Sequence, residues 1–114
     1  MTENEALIQT QLDAYNAHDV AALADTYAEY AQQFEHPNSL IANGRTEITA
    51  RFAARFAENK PYATLINRIV AGSFVIDHQM IERNTPTGRK SVELVAMYEV
   101  VDGRIAKAWF RFVQ

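Results

Sequence analysis

Ser91-Val92-Glu93-Leu94-Val95-Ala96-Met97-Tyr98-Glu99-Val100-Val101-Asp102-Gly103-Arg104-Ile105-Ala106-Lys107-Ala108-Trp109-Phe110-Arg111-Phe112-Val113-Gln114 carries two runs rich in β-branched and aromatic residues on either side of Asp102-Gly103. That pattern reads as a β-hairpin. A two-residue turn at Asp102-Gly103 would set Glu93 opposite Phe112 and Tyr98 opposite Lys107. A three-residue loop, Val101 to Gly103 with Gly103 left-handed, pairs Glu93 with Arg111, Val95 with Trp109 and Met97 with Lys107 on one face. On the other face it pairs Val92 with Phe112, Leu94 with Phe110, Ala96 with Ala108 and Tyr98 with Ala106. This register matches charges and gives the aromatic residues aliphatic partners, which stabilises cross-strand pairs. It is therefore the expected one. Both faces are then apolar at their centres, and such a sheet needs two covers. One is expected to be the chain's own helices, the other a second subunit.

Upstream of the hairpin the pattern stays extended. Strands are expected at Ala63 to Ala71, Phe74 to Arg83, Lys90 to Val101 and Arg104 to Val113. Gly72-Ser73 turns between the first two, and Asn84-Thr85-Pro86-Thr87-Gly88 forms a loop. Earlier still the period becomes helical. Glu3 to Asn16 places Leu7, Ile8, Leu12 and Tyr15 on one stripe. Asp19 is a good N-cap for a second helix from Val20 to about Tyr30, with Val20, Leu23, Ala24, Tyr27 and Ala31 inward. Gln32 to His36 reads as a short strand, stopped by Pro37. Pro37 to Asn43 is a loop or a second short strand. Arg45 to Asn59 is a third helix with Ile48, Phe52, Ala53 and Phe56 on one face, and Arg45, Glu47, Arg51, Arg55 and Glu58 mostly off it. Two helices, a short strand, a helix and a run of long antiparallel strands give an α+β fold, with the helices on one face of a curved sheet.

The chain has 114 residues, enough for a single domain spanning 1–114 with one core. Its net charge of −3 comes without a basic run, which argues against nucleic acid as a partner. No cysteine is present, so disulfides and thiolate chemistry are excluded. The N-terminus is acidic and no segment is long and apolar enough to span a bilayer, so no membrane association and a cytoplasmic location are expected.

Several motifs, in order, carry a family resemblance. Tyr15-Asn16-Ala17-His18-Asp19 followed by a Leu/Ala helix resembles the helix joint of SnoaL-like proteins. Phe34-Glu35-His36-Pro37 and Gly44-Arg45-Thr46-Glu47-Ile48 resemble the family's short strand and its next helix start. Tyr98 to Ile105, with Asp102-Gly103-Arg104-Ile105 at its turn, resembles the family's hairpin. The resemblance, to the nuclear transport factor 2-like superfamily (ketosteroid isomerase and polyketide cyclase-like), covers nearly the whole chain. It implies a cone-shaped domain: a strongly curved antiparallel sheet, three helices from the N-terminal half on its concave face, and a deep apolar pocket between them. It also implies a dimer. It does not select one function, because the superfamily holds isomerases, cyclases, dehydratases, epoxide hydrolases and non-catalytic modules. The isomerase branch uses a tyrosine on helix one, a carboxylate base before a proline and a protonated carboxylic acid in the penultimate strand. Here those positions fall near Gln11, at His36 with Glu35 beside it, and at Val95 or Ala96, so that constellation is not expected to operate.

His36 is the first candidate base, because it precedes Pro37 and a neutral imidazole suits base catalysis near pH 7. Glu35 should point the other way, into solvent. Phe74, Ile76, His78 and Met80 form the more apolar face of their strand, so His78 is expected to join His36 in the pocket, with Asp77 facing away. Tyr15, Tyr27, Phe52, Phe56, Tyr98 and Phe110 are expected to line that pocket and bind ligand. His18 should cap backbone carbonyls. The histidines show no metal-ligand spacing, so no metal site and no cofactor are expected. The expected activity is cofactor-free acid–base catalysis, as an isomerase, cyclase, dehydratase or hydrolase acting on a small apolar carbonyl or polyketide-like compound. The alternative is a module that binds a small ligand, or serves assembly, without turnover. A homodimer is expected through Val95, Met97, Ile105 and Trp109, rimmed by Glu93, Lys107 and Arg111.

Overall fold

The computed structural model describes residues 1–113; Gln114, the last residue of the expected hairpin, lies outside the described residues. Helix α1 runs Glu3–Asn16. The Thr2 side chain caps it by accepting from the Glu5 N–H at 3.1 Å. Ile8, Leu12 and Tyr15 are buried along one stripe, with Gln11 and Ala14 beside them. Helix α2, Val20–Asp25, starts on Asp19, whose carboxylate accepts from the Ala22 N–H at 3.0 Å.

Helix α2 ends five residues before the expected boundary, and Tyr27–Glu35 is strand β1. The cause is a competition for backbone acceptors. Continuing the helix would need the Thr26 and Tyr27 carbonyls for residues four further on. Instead Thr26 O accepts from the Ile105 N–H at 2.8 Å, and Tyr27 O accepts from Arg45 Nε and Nη2 at 3.0 and 2.6 Å. Long-range pairing therefore overrides the local helical period.

Strand β2 is Ser39–Asn43 and helix α3 is Arg45–Asn59, with Ile48, Phe52 and Phe56 buried and Ala53 exposed. The remaining strands are β3, Tyr62–Ala71; β4, Phe74–Thr85; β5, Gly88–Val101; and β6, Arg104–Val113. The six form one open sheet in the order β2-β1-β6-β5-β4-β3. All neighbours are antiparallel except β1 and β6, which run parallel, so the sheet is mixed. The fold is α+β, with all three helices on one face of the curved sheet and the core between them.

The hairpin differs from the expected register. Asp102 and Gly103 both have positive φ, 51° and 76°, and form a two-residue turn with Val101 opposite Arg104 and Val100 opposite Ile105. Glu99 then faces Lys107, which leaves Ala106 as a bulge. Beyond it Tyr98 faces Ala108, Met97 faces Trp109, Val95 faces Arg111 and Leu94 faces Phe112. These partners lie two residues from the expected ones, so the expected face-sharing survives along most of the strand. The extra residue reverses the alternation near the turn. Ile105 is consequently fully buried in the core and does not belong to the outer apolar set of Val95, Met97 and Trp109. Glu93 lies opposite Val113 instead of Arg111.

Strand β4 is also turned over relative to expectation. Val75, Asp77, Gln79 and Ile81 face the helices and are buried, while Phe74, Ile76, His78 and Met80 occupy the outer face. Counting apolar residues misleads here because the core neutralises Asp77 internally. Arg68, opposite it on β3, donates from Nε to Oδ1 at 2.6 Å and from Nη2 to Oδ2 at 2.9 Å.

Candidate functional site

Helices α1 and α3 and the inner face of the sheet surround a cavity of about 270 Å³. Its apolar wall comes from Leu12, Phe52, Ile81, Leu94, Phe110 and Phe112, with Ile41 of β2 at one side. Periodicity explains the selection. Gln11 and Tyr15 are one turn apart on α1, as are Arg51 and Arg55 on α3. Gln79 and Ile81 alternate inward on β4, as Phe110 and Phe112 do on β6. Glu35 pairs in parallel with Phe110 and so shares its face.

The polar lining consists of Gln11, Tyr15, Glu35, Arg51, Arg55, Gln79 and Tyr98. Part of it is tied down. Arg51 Nη1 donates to Gln33 Oε1 at 3.0 Å, and Gln33 Nε2 donates to the Tyr27 hydroxyl oxygen at 3.1 Å. Gln33 and Tyr27 are fully buried, so this relay fixes the guanidinium from behind. Arg51 also lies over the Phe52 and Phe110 rings, 5.5 and 5.6 Å from their centroids. Neither Arg51 nor Arg55 has a carboxylate partner within 4.0 Å among the described residues. Burial first, and the charge of Arg55 second, push the Arg51 guanidinium below its usual value. Burial also pushes the Tyr27 hydroxyl up to about 12, opposed by Gln33, Arg51 and Gln11. The Tyr98 hydroxyl is raised well above its usual value by burial, then by Tyr27 and Asp77. Tyr15 is raised, mainly by burial. These phenols stay protonated at neutral pH and serve as donors.

Gln11 is only 4% exposed, and its Oε1 has no hydrogen-bond partner. Gln79 is equally buried on the facing sheet. Both amides border the cavity.

Of the six residues expected to line the pocket, Tyr15, Phe52, Tyr98 and Phe110 do so. Tyr27 stands one layer behind it, through Gln33. Phe56 is buried away from it, packed on Tyr15 and His18 at centroid distances of 5.4 and 5.1 Å. Neither expected catalytic histidine reaches the cavity. His36 is exposed and borders a shallow depression on the outer face with Pro37, Ile76, Val95, Met97, Trp109 and Arg111. The inward residue of that pair is Glu35, exposed at the cavity mouth. His78 is on the outer face too, its Nε2 2.6 Å from Glu93 Oε2. His18 does cap a carbonyl, that of Pro61, at 2.7 Å. Asp77 points inward, as a paired structural carboxylate.

The residues missed in the sequence are Gln11, Glu35, Arg51, Arg55 and Gln79. Arg51 and Arg55 were legible as an i, i+4 pair flanking Phe52. Charge alone placed them in solvent.

The SnoaL-like domain family model matches residues 8–108. The chain belongs to this family. Solved structures similar to this SnoaL-like domain include an uncharacterised cystatin-fold protein from Novosphingobium aromaticivorans, with a TM-score of 0.87, 20% identity, and 96% of this chain and 97% of that one covered. An LEH-like epoxide hydrolase of M. tuberculosis superposes with a TM-score of 0.87 at 16% identity, covering 99% and 84%. A proposed SnoaL-like polyketide cyclase from Jannaschia sp. CCS1 gives 0.85 at 18%, covering 97% and 85%. At these identities the likeness establishes the fold of the SnoaL-like domain. No curated protein matches it.

Proposed function

We propose that this SnoaL-like domain is a cofactor-free proton-transfer catalyst acting on a small, largely apolar carbonyl compound bound between α1, α3 and the sheet. One observation carries the reading: a carboxylate, Glu35, and a half-buried guanidinium, Arg51, border the same apolar cavity. Glu35 at the mouth is the base that removes a proton from the carbon next to the carbonyl. Negative charge then develops on the carbonyl oxygen. Arg51, held by Gln33 and partly shielded from water by two phenyl rings, stabilises that charge, with Tyr98 or Tyr15 as a further donor. Related folds named as a polyketide cyclase and an epoxide hydrolase fit a scaffold that hosts acid–base chemistry.

The test is deuterium exchange at the α-carbon of apolar aryl ketones, followed by NMR. The wild type should accelerate exchange, and Glu35→Gln should slow it about a hundredfold, within the usual range for a general base. Full activity in Glu35→Gln would reject the assignment. A second reading, binding without turnover, is favoured by the exposure of Glu35 and by the outward placement of both histidines. Tight ligand binding with no exchange would select it.

A further inference from the structure

Arginines gather on the β4 side of the cavity. Arg51 and Arg55 follow one another up α3, and both border the cavity. Arg51 is held toward β1 by Gln33. One turn beyond Arg55, the helix is pinned to the end of β4, where Asn59 Nδ2 donates to the Asn84 carbonyl at 2.9 Å. That contact brings Arg55 toward Arg83, which follows Gln79 and Ile81 in the inward series of β4. Arg83 lies over the Phe112 ring, 6.0 Å from its centroid, and Phe112 lines the cavity. Burial raises the Tyr15 hydroxyl, and Arg55, Arg51 and Arg83 all act to lower it, in keeping with three guanidiniums around one phenol.

All three arginines are half-buried, and none has a carboxylate within 4.0 Å among the described residues. Glu35, the acidic group on the same cavity, belongs to β1. That strand is three places from β4 in the sheet, roughly 14 Å along it. Glu58, on the next turn of α3, is exposed, and Lys90, opposite Arg83, adds another positive charge. Like charges one helical turn apart repel, and the apolar walls of a cleft focus the field that results. A bound anion relieves both.

Resting on the small-molecule reading above, we infer that the compound bound here carries a carboxylate at the end remote from its reacting carbonyl, and that Arg55 and Arg83 bind it at the β4 side of the mouth. The substrate class is then an aryl keto acid, with its rings against Phe52, Leu94 and Phe110. Guanidiniums suit a carboxylate because their paired N–H groups match its two oxygens. Arg51 remains for the carbonyl oxygen, and Glu35 for the α-proton.

Three matched probes test this: 6-acetyl-2-naphthoic acid, its methyl ester and 2-acetylnaphthalene. Their affinities are measured by calorimetry near neutral pH and at low salt, with NMR shifts of cavity residues locating each probe. The wild type should bind the acid at least tenfold more tightly than either neutral probe, a difference of about 1.4 kcal/mol. In Arg55→Met and in Arg83→Met, checked for folding by circular dichroism, the ratio of acid to ester affinity should fall by about threefold or more, and in the double variant close to one. Arg104, beside Asp25 near the hairpin turn, is a distant charge. In Arg104→Met the ratio should stay within about twofold of the wild type, because salt screens charges so far apart. Equal binding of acid and ester by the wild type overturns the inference and leaves the small-molecule reading standing. A preference that survives the double variant, or that falls as far in Arg104→Met, also overturns it. If no probe binds in the cavity, both the inference and that reading fall. Should the Arg55 and Arg83 variants not fold, the wild type decides: the acid, and not the ester, must shift the Arg55 and Arg83 Nε–H signals.

Discussion

Asp77 and Arg68 form a two-pronged ion pair at 2.6 and 2.9 Å, with the Asp77 side chain fully buried and that of Arg68 6% exposed. Gln9 Oε1 accepts a further hydrogen from Arg68 Nη1 at 2.9 Å, which ties α1 to the pair. Breaking one side strands a charge in the core. Asp77→Ala should therefore destabilise by ~3–5 kcal/mol, whereas Arg68→Met with Asp77→Leu should cost far less because neither charge remains. Urea denaturation of both proteins checks this. A loss below about 1 kcal/mol in Asp77→Ala would show that the pair is not structural.

The same pair explains part of what the sequence concealed. The helical stripes of α1 and α3 and the four long strands were legible, because each has a clean period and strong stop signals. The orientation of β4 was not. Its inward face carries Asp77 and Gln79, and only a partner nine residues earlier, Arg68, makes that face admissible. The site was obscured for a related reason. Gln11 and Gln33 are buried and Arg51 is half-buried by contacts across three elements, and hydropathy assigns such polar residues to solvent. The Ala106 bulge was equally hidden, because Asp102-Gly103 announces a turn but not how many residues the next strand spends before pairing.

Backbone conformation offers a direct contrast. Gly44, the N-cap of α3, has φ 90° and ψ 157°, a region essentially confined to glycine. Gly103 has φ 76°, and an added Cβ there would meet nothing within 4 Å. Asparagine tolerates that left-handed conformation. Gly44→Ala should cost ~1–3 kcal/mol, while Gly103→Asn should stay within about 0.5 kcal/mol of the wild type and Gly103→Val should lose ~1–3 kcal/mol. Thermal unfolding of the three variants separates these cases.

Alkaline pH should unfold the protein for an identifiable reason. Tyr15, Tyr27 and Tyr98 all have their hydroxyls raised above 10.0 by burial, Tyr27 to about 12. As pH rises above 10 the unfolded chain gives up these protons while the native chain still holds them. Native protein then binds more protons, so stability falls as pH rises. The stabilisation from the neutral phenols is complete below pH 10 and, for Tyr27, is lost between pH 10 and 12. Between its unfolded and native values each tyrosine adds up to about 1.4 kcal/mol per pH unit to the slope. Tyr98→Phe should flatten the decline by that amount. An unchanged slope in urea midpoints from pH 9.5 to 11.5 would contradict the account.

The outer face is the proposed contact with a second copy of the chain. Phe34 and Trp109 stack there with centroids 5.9 Å apart, next to Val95, Met97 and Ile76, and Ile66 and Ile69 are about half exposed on β3. So broad an apolar face is unusual on a monomer. Sedimentation equilibrium at micromolar concentration should give a dimer, and Trp109→Glu should shift it to monomer without loss of circular dichroism. A monomeric wild type would remove this proposal.

Placement of the histidines makes the sharpest test of the site. His36 and His78 lie on the outer face, separated from the cavity by the sheet itself, and His78 is engaged with Glu93 at 2.6 Å. A base must come within hydrogen-bond reach of the proton it removes, directly or through one water. Neither imidazole can do so through a sheet. His36→Gln and His78→Gln should therefore leave ketone affinity and α-proton exchange within about twofold of the wild type. Arg51→Met, which keeps an apolar stem and removes the charge, should lower exchange by at least tenfold while binding of the neutral ketone changes little, because the guanidinium acts on charge that appears only in the transition state. The split between rate and affinity matters: loss of packing against Phe52 and Phe110 would weaken both together. A large rate loss in His36→Gln with Arg51→Met unaffected would move the chemistry to the outer face.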